Sequence, residues 1–134
     1  MAGKLSPSAA LQVAELESFS PKVFRLNTLV EQYAVAKVNS EQTTSSLKRA
    51  ADQLKLQLMG VGLEAMSQIC GTIVLTAGRP GHPGAKTRAL RELIGNLRFQ
   101  LELSIRVVIR EDEEKRARAE KEEQEEEDSA ESDV

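Results

Sequence analysis

The sequence predicts an all-α protein: an up-and-down antiparallel four-helix bundle with a short extra N-terminal helix and a disordered acidic tail. Three observations lead there. Apolar residues recur at three- and four-residue steps through most of the chain, the spacing of a single helix face. Period-two alternation of β-branched and aromatic residues, the mark of half-buried strands, is missing. Proline, glycine and capping-type residues punctuate the helical stretches at intervals suited to short connections.

The chain has 134 residues, enough for one domain with one core. Aromatic residues make up 3% and tryptophan is absent, so aliphatic side chains must fill that core. Ser6-Pro7 reads as a helix start, because serine caps free backbone N–H groups and proline fits the first helical position. A short helix over roughly 7–17 follows, with Ala10, Leu11 and Ala14 on one side. Ser20-Pro21 repeats the device. After it, Val23, Leu26, Leu29, Val30, Tyr33 and Ala34 predict a helix to about Val38.

Residues 39–46, NSEQTTSS, read as a polar connection ending in a cap at Ser45 or Ser46. They contain no glycine or proline, so a helix running through them is the alternative. From Leu47 the period is plain: Leu47, Ala50, Ala51, Leu54 and Leu58 form a stripe, and Lys48, Asp52, Lys55 and Met59 lie on a neighbouring face. Gly60 and Gly62 predict a bend or break. Leu63, Met66, Ile69, Cys70 and Ile73 carry the next helix to about Ala77. The stretch GRPGHPGAK is a loop. The last helix carries a stripe from Leu90 through Leu93, Ile94, Leu97, Leu101 and Ile105 to Val108 and Ile109. It is expected to fray after Arg110.

Charge divides the chain unevenly. Residues 111–134 hold 13 acidic and four basic residues, a net of −9, while residues 1–110 carry +6. The domains are therefore read as a helical bundle over 1–110 and an acidic, largely disordered tail over 111–134. No apolar run reaches the roughly 20 residues of a membrane span. No secretory signal is evident, so a cytoplasmic protein is expected.

The chemistry offered is sparse. A P-loop is absent. His82 is the one histidine and sits in the glycine–proline loop, and Cys70 lies on an apolar stripe, which makes it a small buried hydrophobe. These two cannot make a zinc site between them. No pair of body carboxylates has acid/base spacing. Neither an enzyme nor a cofactor or metal is expected. The mildly basic body lacks a basic cluster with interleaved aromatics, so nucleic acid is not an expected partner.

One stretch carries a resemblance. AADQLKLQLMGVGLEAMSQIC, residues 50–70, is similar to the signature helix of histidine-containing phosphotransfer (HPt) domains, four-helix bundles that relay phosphate between histidine kinases and receiver domains. Ala51, Leu54 and Lys55 match the family's Ala-His-x-Leu-Lys-Gly. Val61-Gly62 match its hydrophobe and glycine, and Met66, Ile69 and Cys70 its closing Leu-x-x-Leu-Cys, without a gap. Two positions depart at the functional centre. Asp52 stands where the family has its phosphorylated histidine, and Leu56 where it has the glycine that admits the receiver. Aspartate has no imidazole nucleophile, so phosphotransfer is lost. The resemblance implies a non-catalytic adaptor or inhibitor that binds a receiver domain or histidine kinase through Lys48, Arg49, Asp52, Lys55, Leu56 and Met59. The alternative is a structural helical-bundle subunit that self-associates or scaffolds a larger complex, suggested by the wide apolar surface near Val107, Val108 and Ile109.

Overall fold

A computed structural model describes residues 5–36, 38 and 40–132, with side chains as far as 128. Its helices are α1 (Pro7–Glu17), α2 (Ser20–Val35), α3 (Ser40–Gly60), α4 (Glu64–Gly78) and α5 (Pro83–Ser132), and no strand occurs among the described residues. The chain is all-α. It divides into two compact units: residues 18–103, and the N-terminal segment through Glu17 together with the segment from Ser104 onward.

Within residues 18–103 each helix buries one stripe. These are Val23, Leu26 and Val30 of α2, Leu47, Ala51, Leu54 and Leu58 of α3, Met66, Cys70, Ile73 and Ala77 of α4, and Leu90, Ile94, Leu97 and Leu101 of α5. The spacing is three or four throughout, so the apolar face selects the helix and its burial stabilises it. Helix α3 packs most extensively on α4, and next on α2. Lys22 donates to Gln57 between α2 and α3 at 2.6 Å. Arg91 makes a bidentate pair with Glu31 between α5 and α2, at 2.7 and 2.8 Å.

The α3–α4 turn closes on Gly62, whose φ is +80°. Leu63 N–H donates to Leu58 C=O and Gly62 N–H to Met59 C=O, the hydrogen-bond pair of a Schellman cap. A side chain at Gly62 would be strained by that backbone angle, whereas Gly60 is helical with open space about its Cβ position. Helix α4 ends before Arg79-Pro80. Arg79 is extended (φ −73°, ψ 141°), as the residue before a proline prefers.

Several boundaries differ from the sequence reading. The polar stretch after residue 39 is already helical: α3 begins at Ser40, and Thr44 Oγ1 donates to Ser40 C=O at 2.8 Å. Without glycine or proline, and with Glu41 favoured in the first turn by the helix dipole, nothing in it opposes the helix. Asn39, the first residue of the predicted loop, lies outside the described residues, as does Lys37. Helix α2 stops at Val35, because Ala36 is extended. Its cap position is held by Phe19, not Ser20, and no side chain bonds there. Helix α5 begins inside the predicted loop, at Pro83, where His82 Nδ1 accepts the Gly84 N–H at 3.0 Å.

In the other unit, Ser6 acts as foreseen and does more. Its hydroxyl accepts the Ala9 N–H at 3.3 Å, capping α1. Its N–H and hydroxyl both donate to Asp112 of α5, at 3.1 and 2.5 Å. Asp112 is 7% exposed, and Arg116 lies 3.8 Å away one turn on. The Ser6 hydroxyl and then its N–H hold the Asp112 carboxyl below the usual range. Val107, Val108 and Ile109 are half-buried rather than bare. The helix continues to Ser132 instead of fraying after Arg110. Glu, Gln, Lys, Arg and Ala are strong helix formers, and Glu111–Lys115 and Glu114–Arg118 stand at i,i+4. A helix polar all round persists on such pairs without a buried face.

Two substitutions separate the glycines. Gly62→Ala is expected to destabilise by about 1–2 kcal/mol, because alanine resists the left-handed conformation. Gly60→Ala is expected to stabilise by about 0.5–1 kcal/mol. Urea unfolding followed by circular dichroism measures both. Asp112 predicts a pH dependence. A carboxyl depressed in the folded state stabilises above its unfolded pKa of about 4, and that contribution is lost as pH falls through the folded value. Protection of α1 amides, taken against the intrinsic exchange rate at each pH, should therefore fall below about pH 4, and Asp112→Asn should show the lower protection already at neutral pH.

Candidate docking groove on α3 and α4

Helix periodicity puts Lys48, Asp52, Lys55 and Met59 on one flank of α3, at steps of four, three and four. That flank borders α4, which runs antiparallel. Lys55 reaches Gly71 at the middle of α4 and Lys48 reaches Gly78 at its end. A Cβ at Gly71 would lie 3.7 Å from Lys55 Nζ, and one at Gly78 3.4 Å from Lys48 Nζ. Each lysine thus extends over a place where α4 offers backbone and no side chain. The lysines are seven residues apart, and so are the glycines.

Between the helices lies an open groove of about 810 Å³. Asp52, Lys55 and Met59 line it from α3, and Ser67, Thr72 and Leu75 from α4. A smaller hollow of about 440 Å³ at the far end is lined by Lys48, Lys86, Tyr33 and hydroxyls of the first α3 turns. There Lys86 Nζ stands 5.3 Å from the Tyr33 ring centroid, a cation–π distance.

The six residues singled out from sequence separate into three groups. Asp52, Lys55 and Met59 line the groove, and Lys48 lines the hollow beside it. Arg49 and Leu56 are exposed on the outer side of α3 and line neither. Leu56 is 62% exposed and Met59 54%, so both offer apolar surface to solvent. The opposite wall went unforeseen. Leu75, 63% exposed, faces outward from α4, and Gly71 and Gly78 lie beside the ends of the Lys55 and Lys48 side chains. The signal was present as two pairs at one seven-residue interval, Lys48/Lys55 and Gly71/Gly78.

Cys70 is fully buried under this seam. Burial pushes its thiol up to about 12, against a smaller lowering by the Lys55 charge. His82 is exposed and engaged with the start of α5. No cluster of three or more His, Cys, Asp or Glu suited to a metal occurs among the described residues, nor is any helix among them long and apolar enough to cross a membrane. Comparison with protein-family models, with curated proteins and with solved structures finds no match. The groove presents one exposed apolar side chain from α3, Met59, and one from α4, Leu75, with Lys55 and the carboxylates of Asp52 and Glu64 along it.

The buried thiol gives a direct check. Cys70 is expected to resist a thiol-specific chromogenic reagent at pH 8 in the native protein and to react fully once guanidinium unfolds it. Rapid reaction of the native chain would show the α3–α4 seam to be open.

Proposed function

We propose that this chain is a non-catalytic, HPt-like interaction protein of the cytoplasm, with α2 to α5 arranged as an up-and-down antiparallel bundle. Its partner is a receiver domain or a histidine kinase, and it competes with a phosphorylatable HPt protein for that partner. The observation that carries the reading is the exposure of Leu56 and Met59 on the same helix as Asp52. In the motif that residues 50–70 resemble, that helix presents the phosphorylated histidine. Here it presents a carboxylate with no nucleophilic nitrogen and a leucine in place of the glycine. Apolar anchors supply affinity, and Lys48, Arg49, Asp52 and Lys55 set register.

Signalling contacts of this kind bury little surface, so a Kd of order micromolar is expected. The test uses purified receiver domains and histidine kinases from the source organism and measures binding by surface plasmon resonance. Leu56→Asp is expected to weaken the interaction by tenfold or more, since it puts a charge where an anchor sat. Absence of binding to every receiver and kinase, or binding that Leu56→Asp leaves unchanged, would overturn the reading.

A further inference from the structure

Helix α5 buries Leu90, Ile94, Leu97 and Leu101 on one side. On the other side Glu92, Gly95, Phe99, Leu103, Arg106 and Arg110 follow at steps of three and four, so they share one outward face. Each of them is exposed. Two have no use inside the chain. Phe99 is 56% exposed, in a protein with only one tyrosine and three phenylalanines to fill space in its core. Gly95 stands in the interior of the helix, where glycine is unfavourable relative to alanine. It has no positive φ, and a Cβ there would meet nothing within 4 Å. Neither backbone conformation nor a close neighbour among the described residues calls for it.

The face is complementary to itself when reversed about Leu101. Phe99 and Leu103 stand two residues before and after that point, and Glu92 and Arg110 nine before and after. The face continues to Arg88 at one end and to Glu113 and Glu114 at the other, again at equal remove. A second α5 laid antiparallel, with a two-fold axis at Leu101, therefore sets Phe99 against Leu103, Glu92 against Arg110, and Arg88 against Glu113 and Glu114, each contact made twice. Along one edge, Arg98 and Glu102 come within a turn of each other across the pair. Arg106 falls opposite Gly95, where the missing side chain leaves room, and its own Glu102 is one turn away. The neighbouring cations have partners already: Arg91 is held by Glu31, and Arg116 lies beside Asp112. A parallel copy in register would set every charge against its like. Sliding the antiparallel copy by seven residues would put Phe99 against Arg110 or Asn96.

We propose that the outward face of α5 from Arg88 to Glu114 is an interface with a second copy of this chain, the two helices antiparallel. Phe99 and Leu103 form its apolar centre, and Gly95 lets the backbones approach. The flanking charges fix direction and register, as charged positions beside an apolar seam do in paired helices. One helix from each copy buries little area, so the dimer is weak and exchanges readily. The proposal does not rest on the receiver-domain reading, which uses a different helix.

The test is sedimentation equilibrium of the 134-residue chain at rising concentration, in about 100 mM salt. The unaltered chain is expected to pass from monomer to dimer and no further. Phe99→Ala should weaken dimerisation by about tenfold or more. Gly95→Leu should do the same, with helix content by circular dichroism kept or raised, since a Cβ there meets nothing inside the chain. Glu92→Arg and Arg110→Glu, each alone, set like charges against one another twice per dimer and should weaken it by about tenfold. Combined in one chain they should return it to near the unaltered value, because each altered residue then meets the other in the second copy. Circular dichroism verifies that all variants fold. A monomer at every concentration overturns the proposal. So does a dimer that the Phe99, Gly95 and single charge changes leave intact, as a contact through the exposed Phe24 would give, and so does failure of the combined charge variant to regain association.

Discussion

The close antiparallel seam between α3 and α4 is the constraint on which the rest of residues 18–103 depends. A chain with one tyrosine, three phenylalanines and no tryptophan has few large side chains to fill space between helices. It compensates by bringing helices close. Ala51 and Ala77 are buried on α3 and α4, and Gly71 and Gly78 leave the backbone of α4 open on the flank. Leu54, Leu58, Met66 and Ile73 are then fully enclosed with none of the bulk of aromatic rings. The Schellman cap at Gly62 fixes the register, since it reverses the chain in three residues and leaves no slack for sliding. From that register follow the placement of Lys55 at Gly71 and Lys48 at Gly78, the width of the groove, and the burial of Cys70 beneath it.

Much of this was legible in the sequence, and the losses have specific causes. The break at Gly62 was readable because a left-handed residue at a helix end is nearly always glycine. The Ser6 cap was readable because serine before proline suits a first turn. Ser20-Pro21 has the same letters, yet Phe19 takes the cap position. Phe19 is itself buried, so tertiary packing rather than local capping chemistry sets where α2 begins. Residues 39–46 were left open between loop and helix, because capping residues also occur inside helices when nothing opposes them; α3 begins at Ser40. On the site, α3 was read as a functional face and α4 only as a core stripe. Periodicity finds the buried face of a helix, but it does not say which exposed flank borders a neighbour. Leu75 and the two glycines of α4 became visible only once the seam was known.

The acidic segment shows a second limit of composition. Low hydrophobicity and dense like charge argue that nothing can be buried, and from that disorder was expected. Helix formation has another source here, in favourable backbone propensity and in oppositely charged residues one turn apart. Asp112 is the exception that composition hides. It stands among acidic neighbours that are all exposed, and it alone is enclosed, because the Ser6 N–H and hydroxyl supply two donors at its carboxylate. A buried carboxylate is tolerated when its oxygens are hydrogen-bonded. One residue of a run rich in charge thereby becomes an anchor for α1.

Asp52 gains a physical role from the same geometry, whichever partner the groove takes. It stands four residues after Lys48 and three before Lys55, so one negative charge lies between two positive ones along the flank of α3. A uniformly basic flank would attract any anion. With a carboxylate in the middle, an acidic partner gains from both lysines only if its own charges straddle Asp52, which requires an interval near seven residues of helix. A partner with a carboxylate opposite Asp52 meets repulsion instead. Asp52 thus contributes discrimination through the unfavourable contact it imposes on wrong registers.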